Sequence, residues 1–421
     1  MRYLILCVAL LVAPAFADVP FALNVRDFGA LGDARTDDTA AFTKALEAAG
    51  KDGCRVMVPA GKYLIKGNLT LPEFVTLEGT FTAPARSFDS SNNLANTKGS
   101  ILFTTAGKNE ADGKPFITMK ASSTVKGLIV FYPEQTMDVL PYPWCIRGDG
   151  DNCTVRDMLL VNPYQGVDMA TNPAGRHFIS GLYAQPLKTG IFVDKCFDIG
   201  RIENVHLWPF WSEKLMDWTK QNGTAYVLAR TDWEYMRDCF CISYKVGYHF
   251  IANKDGPGNV VLTQCGSDIG PCAVKVDATQ QHAGVSFENG QFMAGIEVAD
   301  SNAGPVKFTS CGFWGVDGVT KSHAELSGSG NVTFTACHFI SWALADPNSP
   351  CILARKGGVT INGCEFLDLD ASKTHVSLQK DVESAIINGN RFRSPIKIVN
   401  ESEGTVEITA NVSPKPNLSK R

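Results

Sequence analysis

Apolar and polar positions between Phe287 and Arg393 follow one recurring phrase: an apolar residue, any residue, a small or polar residue, a small residue (often Cys), any residue, then an aromatic. It reads Phe287-Glu-Asn-Gly-Gln-Phe292, Phe308-Thr-Ser-Cys-Gly-Phe313, Phe334-Thr-Ala-Cys-His-Phe339, Ile361-Asn-Gly-Cys-Glu-Phe366 and Ile387-Asn-Gly-Asn-Arg-Phe392, with starts 21, 26, 27 and 26 residues apart. Looser copies begin at Val125, Val155, Ile179, Ile202, Met236 and Leu262, making eleven. In each, two apolar-alternating pieces flank a third-position residue drawn mostly from Gly, Asn, Asp, Ser or Gln. Gly, Asn and Asp tolerate positive φ, so the pattern predicts two short strands joined by a sharp bend. Most copies are followed by a third strand, as in Gly166-Val-Asp-Met169, Gly190-Ile-Phe-Val193, Gly247-Tyr-His-Phe250 and Gly295-Ile-Glu-Val298. Three short strands per repeat without helical periodicity predict an all-β chain, a right-handed parallel β-helix of about eleven coils.

An open end of such a solenoid exposes core and unpaired backbone, so a cap is required. After Thr36-Asp-Asp-Thr39, apolar residues at Ala41, Phe42, Ala45, Leu46 and Ala49 form one helical face, predicting a capping α-helix near residues 38–49. The motifs Val25-Arg-Asp-Phe-Gly-Ala-Leu-Gly-Asp33, Thr36-Asp-Asp-Thr39 and Val58-Pro-Ala-Gly-Lys-Tyr63 resemble the N-terminal signature of the pectate-lyase-like β-helix superfamily, which includes rhamnogalacturonases, polygalacturonases and tailspike-type proteins. Ala34-Arg35 departs from the glycine usual after Gly-Asp. The resemblance implies the fold, and only loosely a carbohydrate substrate; tailspike relatives leave a homotrimer open. Polygalacturonase catalytic motifs are absent past residue 150, so no catalytic residue is carried over. The organisation expected is a leader at 1–17, cap and first coils at 18–120, β-helix at 121–400 and a tail at 401–421.

Composition changes this picture little: 44% hydrophobic and 19% charged residues, with 38 Gly, suit an ordered, turn-rich chain. Residues 1–17 read as a secretory signal, with Arg2, an apolar run from Leu4 to Val12 and Ala15-Phe-Ala17 at the cleavage site. Its apolar run is too short to span a membrane. The expected location is therefore secreted or periplasmic. Removing it leaves 38 basic and 43 acidic residues, net −5, which disfavours nucleic acid or an anionic membrane as partner. Twelve cysteines would remain. Cys239, Cys265, Cys311, Cys337 and Cys364 share one place in five copies, and side chains stacked in parallel do not aim at one another as disulfides require. They are therefore expected to be a buried thiol row. Cys145 with Cys153 and Cys265 with Cys272 are the pairs held out as exceptions.

The interior is packed, so chemistry belongs outside. Alternation along the third strand puts Asp168, Phe192, Asp194, His249, Lys275 and Glu297 on one outer face. The longest repeat, 34 residues from Ile202 to Met236, adds Trp208-Pro-Phe-Trp-Ser-Glu-Lys-Leu-Met-Asp-Trp218. Flat aromatic rings stack on sugars, so Trp208, Trp211 and Trp218 are expected as a substrate-binding groove wall, with Phe192, Arg230 and Lys275 as further contacts. Asp168, Asp194, His249, Asp232 and Glu234 are the candidate catalytic residues. The competing reading makes the row a solvated sheet face and the tryptophan loop a buried latch. Asp168 and Asp194, one coil and two residues apart, would lie roughly 8 Å from each other, as an inverting glycoside hydrolase needs. A uronate lyase would instead use a base with Lys275 and Arg230, and Ca²⁺ becomes possible only there. Otherwise no cofactor is expected, and no metal at His249, which lacks a second His at ligand spacing. An exported polysaccharide-degrading hydrolase leads, with the lyase and a non-catalytic carbohydrate-binding protein as alternatives.

Overall fold

A computed structural model describes residues 21–84 and 98–414, so the proposed leader at 1–17 lies outside the described residues. Among the described residues thirty-six strands join into one continuous network, and every pairing within it is parallel; a two-stranded antiparallel ribbon, Ala252–Asn253 with Gly256–Pro257, stands apart. The chain is the β-helix that its repeats predict. Each full coil lays one strand on each of three faces. On the third face Gln165–Met169, Thr189–Val193, Thr224–Leu228, Val246–Phe250, Cys272–Val276 and Gly295–Val298 stack in order.

The bend between the first and second faces is one left-handed residue in every copy. Gly127, Asp157, Gly181, Asn204, Asp238, Gln264, Asn289, Ser310, Ala336, Gly363 and Gly389 all have φ between 50° and 68°. Gly pays nothing for this conformation and Asn or Asp little. Gln264, Ser310 and Ala336 are held there by ladders on both sides.

Inside, aromatics stack coil upon coil. Phe292, Phe313, Phe339, Phe366 and Phe392 form one column with successive centroids 5.4, 5.0, 5.1 and 4.7 Å apart. Ring against ring at coil spacing adds to the burial of each Phe. The thiol row is buried beside it, and Cys311, Cys337 and Cys364 donate to backbone carbonyls. All twelve described cysteines are free, which corrects the Cys145–Cys153 and Cys265–Cys272 exceptions. In the last coils Asn390 and Asn411 replace the thiols and bond the same carbonyl positions, Ile361 and Ile387.

The cap helix spans Thr39–Ala49, and its buried residues are Ala41, Phe42, Ala45, Leu46 and Ala49. Asp38 does not cap it; its carboxylate accepts from Leu31 N and Gly32 N at 2.8 and 3.0 Å, tying the signature loop to the helix. Ala34 has φ 64°, so the residue that replaces the usual glycine sits in the left-handed region. Past residue 400, Thr405–Thr409 still pairs with Ser384–Asn388, so the last turn of the helix reaches into the segment expected to be a tail.

Candidate functional site

The third face presents its outward row in the order the alternation predicts. Arg147, Asp168, Phe192, Val227, His249, Lys275, Glu297 and Glu325 are register partners on eight successive coils. Pairing fixes their spacing and pleat fixes their direction. Exposure varies sharply along the row, and that decides which members can meet a substrate.

Asp168 is fully buried. Its Oδ1 accepts from Ala170 N (2.8 Å) and Thr171 N (2.9 Å), and its Oδ2 from Thr171 Oγ1 (2.6 Å) and Arg147 Nε (2.5 Å). Both oxygens are spent on folding the turn after the strand and neutralising Arg147. The carboxylate has no lone pair left for a leaving group or a water, so the Asp168–Asp194 acid and base pair does not form. Asp194, 7% exposed, accepts at Oδ1 from Lys195 N, Arg230 N and Asn253 Nδ2. Among the described residues no hydrogen bond reaches its Oδ2.

Further along, the row opens. His249 Nε2 lies 2.7 Å from Asp277 Oδ2, and Lys275 Nζ lies 3.9 Å from Asp277 Oδ1. These side chains are 23% (His249) and 35% (Asp277 and Lys275) exposed. Asp277 stands one coil on from His249 and two residues past Lys275, where it orients the imidazole. No hydrogen bond among the described residues holds His249 Nδ1, which leaves it able to exchange a proton with a bound molecule. Phe192, half-buried and tilted against Trp144 at 6.5 Å, supplies apolar surface two coils away. Arg230 pairs with Asp232 at 2.5 Å and lies over the Phe197 ring at 5.5 Å. Hydrogen bonding from Arg230 holds the Asp232 carboxyl below its ordinary range, against a smaller opposing effect of burial. Asp194, Arg230, Asp232, His249 and Lys275 thus lie on one side of four successive coils.

Two expectations are corrected here. The tryptophan loop does not wall this row; it covers the second face. There Phe210, Trp211 and Leu215 pack on Ile101, Ile129, Leu159, Val161 and Leu187 as a second hydrophobic cluster outside the coil interior. Trp211 is 2% exposed, while Trp208 and Trp218 lean on the cluster's rim. The buried Gln185 amide grips the loop, accepting from Trp211 N and Ser212 N and donating to Ser212 O. The second correction is Glu234. It is fully buried against His177, its Oε1 2.9 Å from His177 Nε2, and cannot reach a polysaccharide.

With this geometry in place, comparison with known proteins adds a family. Residues 22–193 match the family described as Rhamnogalacturonase A/epimerase, pectate lyase-like, which covers the N-terminal motifs that carry the resemblance. An exopolygalacturonase from Arabidopsis thaliana is 41% identical over 69 residues, 15% of this chain and 16% of that protein. The mannuronan C5-epimerase AlgE3 from Azotobacter vinelandii is 53% identical over 45 residues, 10% of this chain and 2% of that protein. The matches therefore span at most 16% of the length of these curated relatives. Among solved structures, the pre-mature gene product 12 of bacteriophage phi29 aligns over 93% of this chain and 55% of its own, with TM-score 0.57 and 12% identity. A DFA-IIIase mutant from Arthrobacter chlorophenolicus A6 aligns over 95% of this chain and 100% of its own, with TM-score 0.50 and 11% identity. These likenesses are of fold.

Proposed function

Starting from a pectate-lyase-like β-helix, we propose that the chain is a polysaccharide-active enzyme that works on an acidic glycan at the open part of its third face. The observation that carries this reading is the His249–Asp277 pair beside Lys275. A uronate lyase needs a base for the proton next to the sugar carboxylate and a cation for the charge that develops there. His249 Nδ1 takes the proton while Asp277 steadies the imidazole. Lys275 faces the carboxylate. The electron pair left on carbon forms the double bond as the glycosidic oxygen departs and takes a proton from the His249 imidazolium or from water, giving an unsaturated end on one product and a hydroxyl on the other. The relatives whose names include mannuronan C5-epimerase and alginate lyase lend support, since those names denote uronate polymers.

Hydrolysis is the second reading. It draws on Asp194, whose Oδ2 has no hydrogen bond among the described residues, and on Asp232, whose side chain is 44% exposed. Incubation with a panel of neutral and acidic polysaccharides separates the two. Reducing ends together with ultraviolet absorbance from unsaturated sugars support elimination; reducing ends alone support hydrolysis. Binding without product would leave a carbohydrate-binding protein and defeat both enzymatic readings.

A further inference from the structure

Away from that face, the turn between the third and first faces holds a cluster of a different kind. His177, Gly200 and Glu234 occupy the same register position on three successive coils, since Gly200 pairs with Glu234 and the strands after His177 and Gly200 pair in step. The middle residue has no side chain. A Cβ at Gly200 would stand 2.1 Å from Glu234 Oε2 and 2.6 Å from His177 Nε2, so a glycine is what lets the outer two side chains meet across an intervening coil. Cys196, from the turn entering that middle coil, completes the group; one ligand atom from each of His177, Cys196 and Glu234 lies within 4.8 Å of the others. All three residues are fully buried.

Two further features point to a ligand rather than to a plain ion pair. Glu234 Oε2 is buried with no hydrogen-bond partner among the described residues, an expensive omission for a carboxylate oxygen. His177 Nδ1 lies 2.8 Å from Ala174 O, to which it donates, so the ring is held with Nε2 aimed into the cluster. Histidine ligands to metals are commonly fixed in this way by a carbonyl on the far nitrogen.

We propose that His177 Nε2, Cys196 Sγ and the Glu234 carboxylate form a buried structural site for a divalent cation of borderline softness, with Zn²⁺ the best match. One nitrogen, one thiolate sulfur and a carboxylate able to use both oxygens make a donor set for a four-coordinate ion. Metal–donor bonds of about 2.0–2.3 Å set donors roughly 3–4 Å apart, so the cluster contracts only slightly around the ion. Binding releases the thiol proton of Cys196 and any proton shared by His177 and Glu234. The ion would clamp three consecutive coils at one edge of the catalytic face. No step of the proposed reaction runs through it.

The test uses the full chain. Protein purified without chelators is analysed for bound metals, then unfolded with chelator and refolded with Co²⁺ as a spectroscopic substitute. The expected result is about one zinc per chain, and after refolding a thiolate-to-cobalt charge-transfer absorption that Cys196→Ser abolishes. Should Cys196→Ser fail to fold, X-ray absorption at the zinc edge of the unaltered chain decides, with a single sulfur among nitrogen and oxygen neighbours expected. A chain that carries no metal and gives no charge-transfer band on refolding overturns the proposal. So does a band that survives Cys196→Ser, or a zinc shell of several sulfurs.

Discussion

Replacing Asp168 by Asn separates a folding role from a chemical one. The change keeps shape and leaves an oxygen to accept from Ala170 N and Thr171 N. It turns the other oxygen into an amide NH₂, which then faces Arg147 Nε and Thr171 Oγ1, two donors. Thr171 can rotate and accept; Arg147 cannot. Breaking a buried ion pair by removing one partner costs about 3–5 kcal/mol, but the Arg147 side chain is 19% exposed and regains some water. A loss of about 2–3 kcal/mol follows, with one charged hydrogen bond worth about 1.5–3 kcal/mol as a check. Equilibrium urea unfolding followed by circular dichroism should show a lower midpoint at unchanged slope. In the double variant with Arg147→Met the loss should be smaller than the sum, because the stranded cation is gone too. An Asp168→Asn protein within about 0.5 kcal/mol of the parent but without turnover would refute this reasoning and restore Asp168 as a catalytic acid or base.

Trp211→Ala should destabilise the chain or its loop by about 3–5 kcal/mol rather than weaken substrate binding selectively, because the indole is buried in the second hydrophobic cluster. Hydrogen exchange of residues 208–223 reads this directly, and unchanged protection would place the ring in solvent. His323 donates from Nε2 to Ile340 O, its Nδ1 has no partner among the described residues, and burial pushes its pKa down to about 4. The unfolded chain therefore binds the extra proton first, so stability falls as pH drops from about 6.5 towards 4, by about 3 kcal/mol at most from this group. His323→Phe, which leaves Ile340 O bonded to Gly315 N, should flatten that part of the stability–pH curve. An unchanged slope would mean His323 is charged in the fold.

Much of the fold was legible because its signals are local. Each bend carries its own residue chemistry, and all eleven third-position residues take the left-handed conformation. Period-two alternation likewise placed Asp168, Phe192, His249, Lys275 and Glu297 in one row. What alternation cannot show is what covers an outward residue. Asp168 is sealed by Arg147 one coil back and by Thr171 in its own turn. The tryptophan loop found an apolar outer surface on the second face (Ile101, Ile129 and Leu159) that periodicity alone marks as solvent-facing. Asp277 was missed because its contact with His249 spans one coil and two positions. His177 and Glu234 were unreadable as partners, since their meeting depends on Gly200 in a coil between them.

The central claim is that His249, oriented by Asp277, transfers the proton on the third face. Its most direct test is turnover of an acidic polysaccharide by His249→Gln, measured as unsaturated ends. The imidazole is partly exposed and leaves no core cavity, so the melting transition should hold. Turnover should fall about 10²–10⁴-fold, with Asp277→Asn reducing it in the same direction. A folded His249→Gln protein that forms unsaturated ends at the parental rate would contradict the account.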